Sequence, residues 1–583
     1  MIRRNSFNIY FVLALGSIIA IGTAVRLVGI STESLRLDEA QSIWQASHSM
    51  EFIREYMLKN VHLPLHNTLL HVWMQFFGTS EASVRMLAVI PGILFLPALY
   101  LLAREFMSRQ WGLIAMGFAA IAPIFVWYSR EIRMYSLLIL ITTLSFYLYL
   151  RILRQPKLVW YLLYGVVNII GIYTHYFFLW ALVVQFIFFF STWHIDFTQT
   201  KEKSKRSMLI GFTGVAIVLL VAFSPWLYGL FTTYGSGSLA PVLGAPTSFN
   251  MVLTLFEFLF GFQSNTVTGG LFALWPLVTL LGFMFLAKRT AVPPRVWLLV
   301  LGIFLPITLT FLISVSIKPL YLTRYLMVAA PLFFVFITWF ISELPKYRLL
   351  FVVGLTSTLL FTLGTQQLHP DSPAKENYRD ITTYINREAT VRDVVVLAPP
   401  YLIYPFQYYY SGRAHTTTMP IWDKRQGAIP AITPEILARD AETIKGSHQR
   451  IFLIVGSDLI GANDAKDYFD KNLTKITKKQ FSKNLWLHVY QAEYLAEGQR
   501  TVVIDGPPRI ATTLARSSHE ESEESIAAGL SSLPQTYIIE QGDTLVNIAR
   551  KIYGDSRQYF SIAKLNGIAD PDVIISGHIL LIP

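Results

Sequence analysis

Asp38 and Glu39 stand in the run Leu35-Arg36-Leu37-Asp38-Glu39-Ala40, directly after the first long apolar segment of a 583-residue chain. A carboxylate there can act as a base, taking a proton from an acceptor hydroxyl or amine as a leaving group departs. A solvated helix cap at a membrane surface would use the same two residues. Three further segments carry the remaining reactive side chains. The run Val61 to Trp73 holds His62, His66 and His71. The run Tyr128-Ser129-Arg130-Glu131-Ile132-Arg133-Met134-Tyr135 places two arginines and a glutamate in one short turn. Tyr173-Thr174-His175-Tyr176 follows. The histidines raise the question of a metal. His66 and His71 are five apart, which is poor for one helical face, and Pro64 separates His62 from His66. Polar lining is the better expectation, and no metal ligand is assigned.

The elements that must position these residues are membranous. The chain is 53% hydrophobic and 15% charged, against about 25% charged in soluble proteins. Residues 1–367 carry 25 Lys and Arg against 12 Asp and Glu, and residues 368–583 carry 23 against 25. The basic excess thus lies in the apolar part, where it sets topology, and nucleic-acid binding explains it poorly. There is no cysteine, which excludes disulfides, thiol catalysis and Cys-ligated metal centres.

Eleven segments are long and apolar enough to span a bilayer: 7–30, 84–103, 111–128, 134–150, 158–174, 176–193, 208–230, 269–287, 296–315, 324–342 and 349–367. The first lacks the cleavage site of a secretory signal. With the N-terminus inside, every cytoplasmic segment is basic, while the outer loops 173–176 and 231–268 contain no Lys or Arg. This topology puts Asp38, Glu39, Glu131 and the C-terminal residues outside. The loop 231–268 contains Gly235-Ser236-Gly237, Pro241, Gly244 and Pro246, then an apolar stretch to Phe262, and reads as a lid followed by an interfacial helix, or as a passive loop.

In order and spacing, residues 37–180 resemble the GT-C superfamily of bacterial polyprenyl-phosphate-sugar-dependent glycosyltransferases, related to protein O-mannosyltransferases and lipid A aminoarabinose transferases. The resemblance rests on Asp38-Glu39, on His62 through Trp73, on Tyr128 through Tyr135 and on Tyr173 through Tyr176, with Thr323-Arg324-Tyr325 as a weaker later match. Leu63 replaces a proline of the usual pattern, and His66-Asn67 replace a pair of aromatics. The resemblance implies transfer of a sugar from a polyprenyl-phosphate donor to a cell-envelope acceptor on the outer face of a bacterial cytoplasmic membrane. Asp38 would be the base, Glu39 would orient it or share its proton, and Glu131 would position the acceptor or pair with arginine. Arg130, Arg133 and Arg324 would bind the donor phosphate, since guanidinium meets phosphate oxygens bidentately. Snorkelling at the interface is the bland use of the same arginines. His62, His66, Tyr135 and His175 would line the substrate site. No cofactor is called for, and a divalent metal stays an open alternative.

Residues 371–503 alternate helical and strand-like patterns, with Val394 to Leu397 and Ile451 to Val455 as buried strands, and read as an accessory extracytoplasmic α/β domain. Tyr401, Tyr404, Tyr408, Tyr409 and Tyr410 there suit packing better than sugar stacking. Residues 506–533, with Pro507-Pro508 and a Ser/Glu-rich run, read as a linker. With Tyr537-Ile538-Ile539-Glu540-Gln541-Gly542-Asp543-Thr544-Leu545, then Tyr553-Gly554-Asp555, Leu565-Asn566-Gly567-Ile568 and Ile575 through Pro583, residues 535–583 resemble a LysM module of strand, two helices and strand. That resemblance implies binding of N-acetylglucosamine-containing glycans such as peptidoglycan through Gly542, Asp543, Thr544, Leu545, Asn566, Gly567 and Ile568. Asp543 and Asn566 are alternatively only caps. The fold expected is therefore an α-helical polytopic membrane protein with an α/β domain and a C-terminal βααβ LysM module. A non-catalytic anchor presenting LysM is the alternative, and the absence of a half-to-half repeat speaks against a transporter.

Overall fold

A computed structural model describes residues 9–59, 62–193, 202–233, 244–264, 266–272, 292–368, 376–424, 429–430, 432–445, 448–456, 462–492, 535–539, 545–553, 562, 565–566 and 579–582. The chain divides into two compact units, 1–498 and 499–583.

Among the described residues, six helices have the length and apolarity to cross a membrane. They are α1 (Ile9–Leu27), α5 (Glu81–Ala103), α8 (Tyr135–Arg154), α11 (Glu202–Thr233, qualifying from Lys205), α13 (Val296–Ser316) and α15 (Arg348–Leu368). A bent pair, α6 (Arg109–Ile121) and α7 (Pro123–Ser129), makes a seventh if counted as one span. This is a multi-pass membrane protein. Four shorter apolar stretches are α9 (Leu158–Thr174), α10 (Leu179–Ser191, after a 3-10 turn from Tyr176), α12 (Ser248–Phe260) and α14 (Ala330–Ser342). The eleven expected spans are thus not reproduced one for one. The segment expected at 324–342 opens as a 3-10 turn, Thr323–Val328, and only then becomes α14. Most of the span expected at 269–287 lies outside the described residues, as does the loop tip at 234–243.

The span expected at 111–128 bends by 60° because Pro123 has no N–H to return to the Ala119 carbonyl. Arg26 of α1 takes over. Its Nη2 donates to Ala119 O at 3.4 Å, its Nη1 to Ala120 O at 3.0 Å and its Nε to Ser129 Oγ at 3.1 Å. The guanidinium is fully buried, which a paired set of acceptors makes tolerable.

Between α1 and α5 lie α2 (Leu37–Ala46), α3 (Met50–Leu58) and α4 (Leu65–Phe77). Ser49 caps α3 by accepting from Phe52 N at 3.2 Å, and Ser80 caps α5. Asp38 and Glu39 sit in the first turn of α2, where negative charge suits the helix dipole.

The rest of the first unit is a five-stranded sheet in the order β2-β1-β3-β5-β4, with β1 (Val394–Ala398), β2 (His415–Thr418), β3 (Arg450–Gly456), β4 (Lys475–Ser482) and β5 (Leu485–Gln491). β1 runs parallel to β2 and β3, and β5 runs antiparallel to β3 and β4. Both faces of β1 are covered, so it is apolar throughout. Val394 and Val396 pack with Leu437, Ala441 and Phe469. Val395 and Leu397 belong to the core that contains Leu35, Ala40 and Ile43 of the α2 region. The tyrosine-rich segment, helix α17 (Ile403–Tyr409), joins that core. Tyr409 Oη accepts from Leu35 N at 2.7 Å and also bonds Glu81, and Arg379 of α16 (Tyr378–Glu388) meets Glu81 at 2.6 Å. The α/β domain is thereby built onto α2 and the start of α5.

In the second unit, β6 (Gln535–Ile538) pairs antiparallel with β7 (Ile579–Ile582), and helix α18 (Leu545–Tyr553) contributes Leu545, Ile548 and Ala549 to a small core with Ile562, Leu580 and Ile582. Gly542, Asp543, Thr544, Gly567, Ile568 and the linker 506–533 lie outside the described residues.

Candidate active site

The first turn of α2 carries Asp38 to a meeting point of four chain segments. Its Oδ2 accepts from Arg324 Nη1 at 2.9 Å. The 3-10 turn that bears Arg324 is anchored by α12: Thr254 Oγ1 lies 2.9 Å from Tyr321 Oη and 3.3 Å from Thr323 Oγ1, and Glu257 bonds the Thr323 side chain. Arg133, from the turn between α7 and α8, approaches from the other side. Its Nη1 donates to Ser42 Oγ at 3.2 Å, and Ser42 in turn donates to the Asp38 carbonyl at 2.9 Å. Arg133 Nη2 donates to His62 Nε2 at 2.9 Å, so that nitrogen is an acceptor and the ring is neutral. Arg36 stacks on Trp127, 4.7 Å from the ring centroid.

The charges are uneven. Burial pushes the Asp38 carboxyl up, but the guanidinium groups of Arg133, Arg324 and Arg36 outweigh it and hold it well below the usual carboxylate range. Burial raises Glu131, Arg36 opposes, and Asp38 and Glu39 add to the rise. His66 and His175 are pushed down to about 3, first by burial and then by Arg133. His62 falls well below its ordinary value for the same two reasons. The histidines therefore stay neutral at physiological pH. Among the described residues, no three His, Asp or Glu side chains cluster as a metal ion would require.

Several buried polar atoms in this region have no hydrogen-bond partner among the described residues: Arg133 Nε, Arg324 Nε, Tyr135 Oη and His66 Nε2. His175 packs 5.3 Å from Tyr325 and 6.0 Å from Tyr135, and Tyr135 packs 4.9 Å from Tyr128. The arrangement offers a carboxylate flanked by guanidinium groups and lined with neutral donors and aromatic rings.

Asp38 thus meets Arg324, Arg133 meets Ser42 and His62, and His175 packs on Tyr135. Two of the expected residues are engaged elsewhere. Glu39 accepts from the N-cap Arg36 N at 3.0 Å, takes Arg85 on both oxygens at 3.0 and 2.8 Å, and accepts from Ile132 N at 3.3 Å. Arg130 also points elsewhere, with Nη1 on Gln367 Oε1 at 2.6 Å and Nη2 on Gly29 O at 2.9 Å. Glu131 is buried in the same turn as Arg133. Arg85 was missed because it hides near the start of an apolar span. A lone arginine so placed is itself a signal, since it must find acceptors.

In the second unit, Asn566 Nδ2 donates to Leu581 O at 2.7 Å and its Oδ1 accepts from Leu581 N at 2.7 Å. Its carboxamide is therefore spent on the edge of β7. Leu545 is fully buried in the small core.

Residues 61–228 match the model of the family described as dolichyl-phosphate-mannose-protein mannosyltransferase. The match takes in His62, Arg133, Tyr135 and His175 and leaves Asp38 and Arg324 outside it. ArnT from Cupriavidus metallidurans, in its apo state, aligns over 81% of this chain and 97% of its own, at 12% identity and a TM-score of 0.51. The oligosaccharyltransferase of Archaeoglobus fulgidus aligns over 82% and 73% at 11% identity, with a TM-score of 0.45. An esterase of Mycobacterium tuberculosis is 50% identical over 46 residues, which are 8% of this chain, so the chain spans about a tenth of that curated relative's length. The likeness to ArnT shows a shared fold.

Proposed function

We propose that this protein moves a sugar from a polyprenyl-phosphate donor to a cell-envelope acceptor. Asp38 takes the acceptor proton, the acceptor oxygen or nitrogen bonds the anomeric carbon, and the bond to the phosphate oxygen breaks. The electron pair leaves with the polyprenyl phosphate, whose charge Arg324 and Arg133 receive. Carrying this reading is the meeting of Asp38 with Arg324, 286 residues apart in the chain, beside Arg133. The unpartnered Arg133 Nε, Arg324 Nε, Tyr135 Oη and His66 Nε2 suit a ligand rich in hydroxyl and phosphate oxygens. The dolichyl-phosphate-mannose named in the matching family is a donor of this chemistry.

The site then faces the outside of a bacterial cytoplasmic membrane, because the basic segments stay inside. The second unit is proposed to be a LysM module that holds the enzyme against N-acetylglucosamine-containing glycan and raises the local concentration of a wall-associated acceptor. Supporting this is its pair of antiparallel strands closed over a helix.

Purified Asp38→Asn protein, inserted in membranes as the wild type is, should release no polyprenyl phosphate from lipid-linked sugars. Retained turnover would remove Asp38 from the reaction. A wild type that releases none from any such donor would favour the non-catalytic anchor.

A further inference from the structure

The two acid–arginine pairs of α2 differ in how firmly they are held. Glu39 and Arg85 are 2% and 5% exposed, and Arg85 also donates to the carbonyls of Ile30, Glu33 and Ser34. Nothing from outside can divide them without unpairing a buried charge. Asp38 and Arg324 are 26% and 36% exposed. A single guanidinium nitrogen, Nη1, bonds Asp38, while Nε is buried without a hydrogen-bond partner among the described residues. Arg133 is tethered twice, to Ser42 and His62, and is fixed in place. Arg324 is thus the cation able to change partner.

We propose that the Asp38–Arg324 pair is a gate, in which the donor phosphate must draw Arg324 away from Asp38, so that donor binding and release of the base are one event. The inference rests on the reading that this site takes a polyprenyl-phosphate donor. A phosphate oxygen and the Asp38 carboxylate compete for the same planar fork, which matches both. While the pair is closed, the carboxylate is neutralised and activates no water. Once Arg324 turns to the phosphate, Asp38 loses a counter-charge and becomes the stronger base just as a leaving group is in place. The donor therefore binds before the acceptor is deprotonated.

The test is a thermodynamic cycle on the full chain in lipid nanodiscs, with undecaprenyl phosphate as the probe. In the wild-type background, Asp38→Asn removes the competitor and should tighten binding at least about fivefold. In the Arg324→Gln background, the same change should alter the Kd by less than about twofold. Asp38→Ala serves in place of Asp38→Asn should the latter fail to insert. Equal tightening in both backgrounds would show plain charge repulsion and overturn the gate. Unchanged affinity in the wild-type background would also overturn it while leaving the donor assignment standing. A wild type that binds no undecaprenyl phosphate would bring down the donor assignment and the gate together.

Discussion

Asp38 and Glu39 occupy successive positions of one helix, about 100° apart around its axis, and that angle divides their work. Asp38 faces the arginines of the site, and Glu39 faces Arg85 and the turn that carries Arg133. Glu39→Gln should leave a buried guanidinium without its counter-charge and destabilise the protein by about 3–5 kcal/mol. Asp38→Asn, at a more exposed pair, should change stability by no more than about 1 kcal/mol. Thermal unfolding of the two variants in one detergent tests the contrast, and equal losses would contradict it. The part Asp38 takes in the reaction is a proposal, and position 38 was legible as a candidate base through the family resemblance alone. The separate fate of position 39 was not, because a sequence shows adjacency and hides the turn of the helix. Arg130 and Arg133 repeat the lesson three residues apart in a short irregular turn, where no helical period tells which one faces Asp38.

Apolar length announces helices well, and α1, α5, α8, α13 and α15 lie close to their expected bounds. It does not announce breaks. Pro123 splits one expected span, and the stretch that opens with Arg324 spends its first turn as a 3-10 helix. Strands β1 and β3 were readable as short apolar runs, whereas exposed β4, with Lys475, Lys478 and Lys479, carries the mark of a charged sheet edge. The corner at Pro123 gives an element-scale prediction. Arg26→Met leaves the Ala119 and Ala120 carbonyls buried without a donor, which costs about 1–3 kcal/mol for each group. Faster amide exchange across residues 119–130 would register the loosened corner, and unchanged protection there would deny Arg26 its role.

On the scale of the whole molecule, the two compact units separate the proposed chemistry from the proposed tethering. A chain ending at residue 498 should insert, fold and release polyprenyl phosphate as the full chain does, while losing retention on peptidoglycan. Loss of turnover in that truncated chain would mean that the second unit takes part in the reaction. No such cut is open between the helices and the five-stranded sheet, since Leu35, Ala40 and Ile43 share a core with Val395 and Leu397.

That common core governs how the protein can be re-engineered. A chimera that imports only a foreign soluble domain would strip α2 of its floor and let the turn that bears Asp38 drift. The transplantable cassette is discontinuous: residues 31–85 must travel with 376–492, so a change of recipient molecule is bought as a matched pair of segments or not at all.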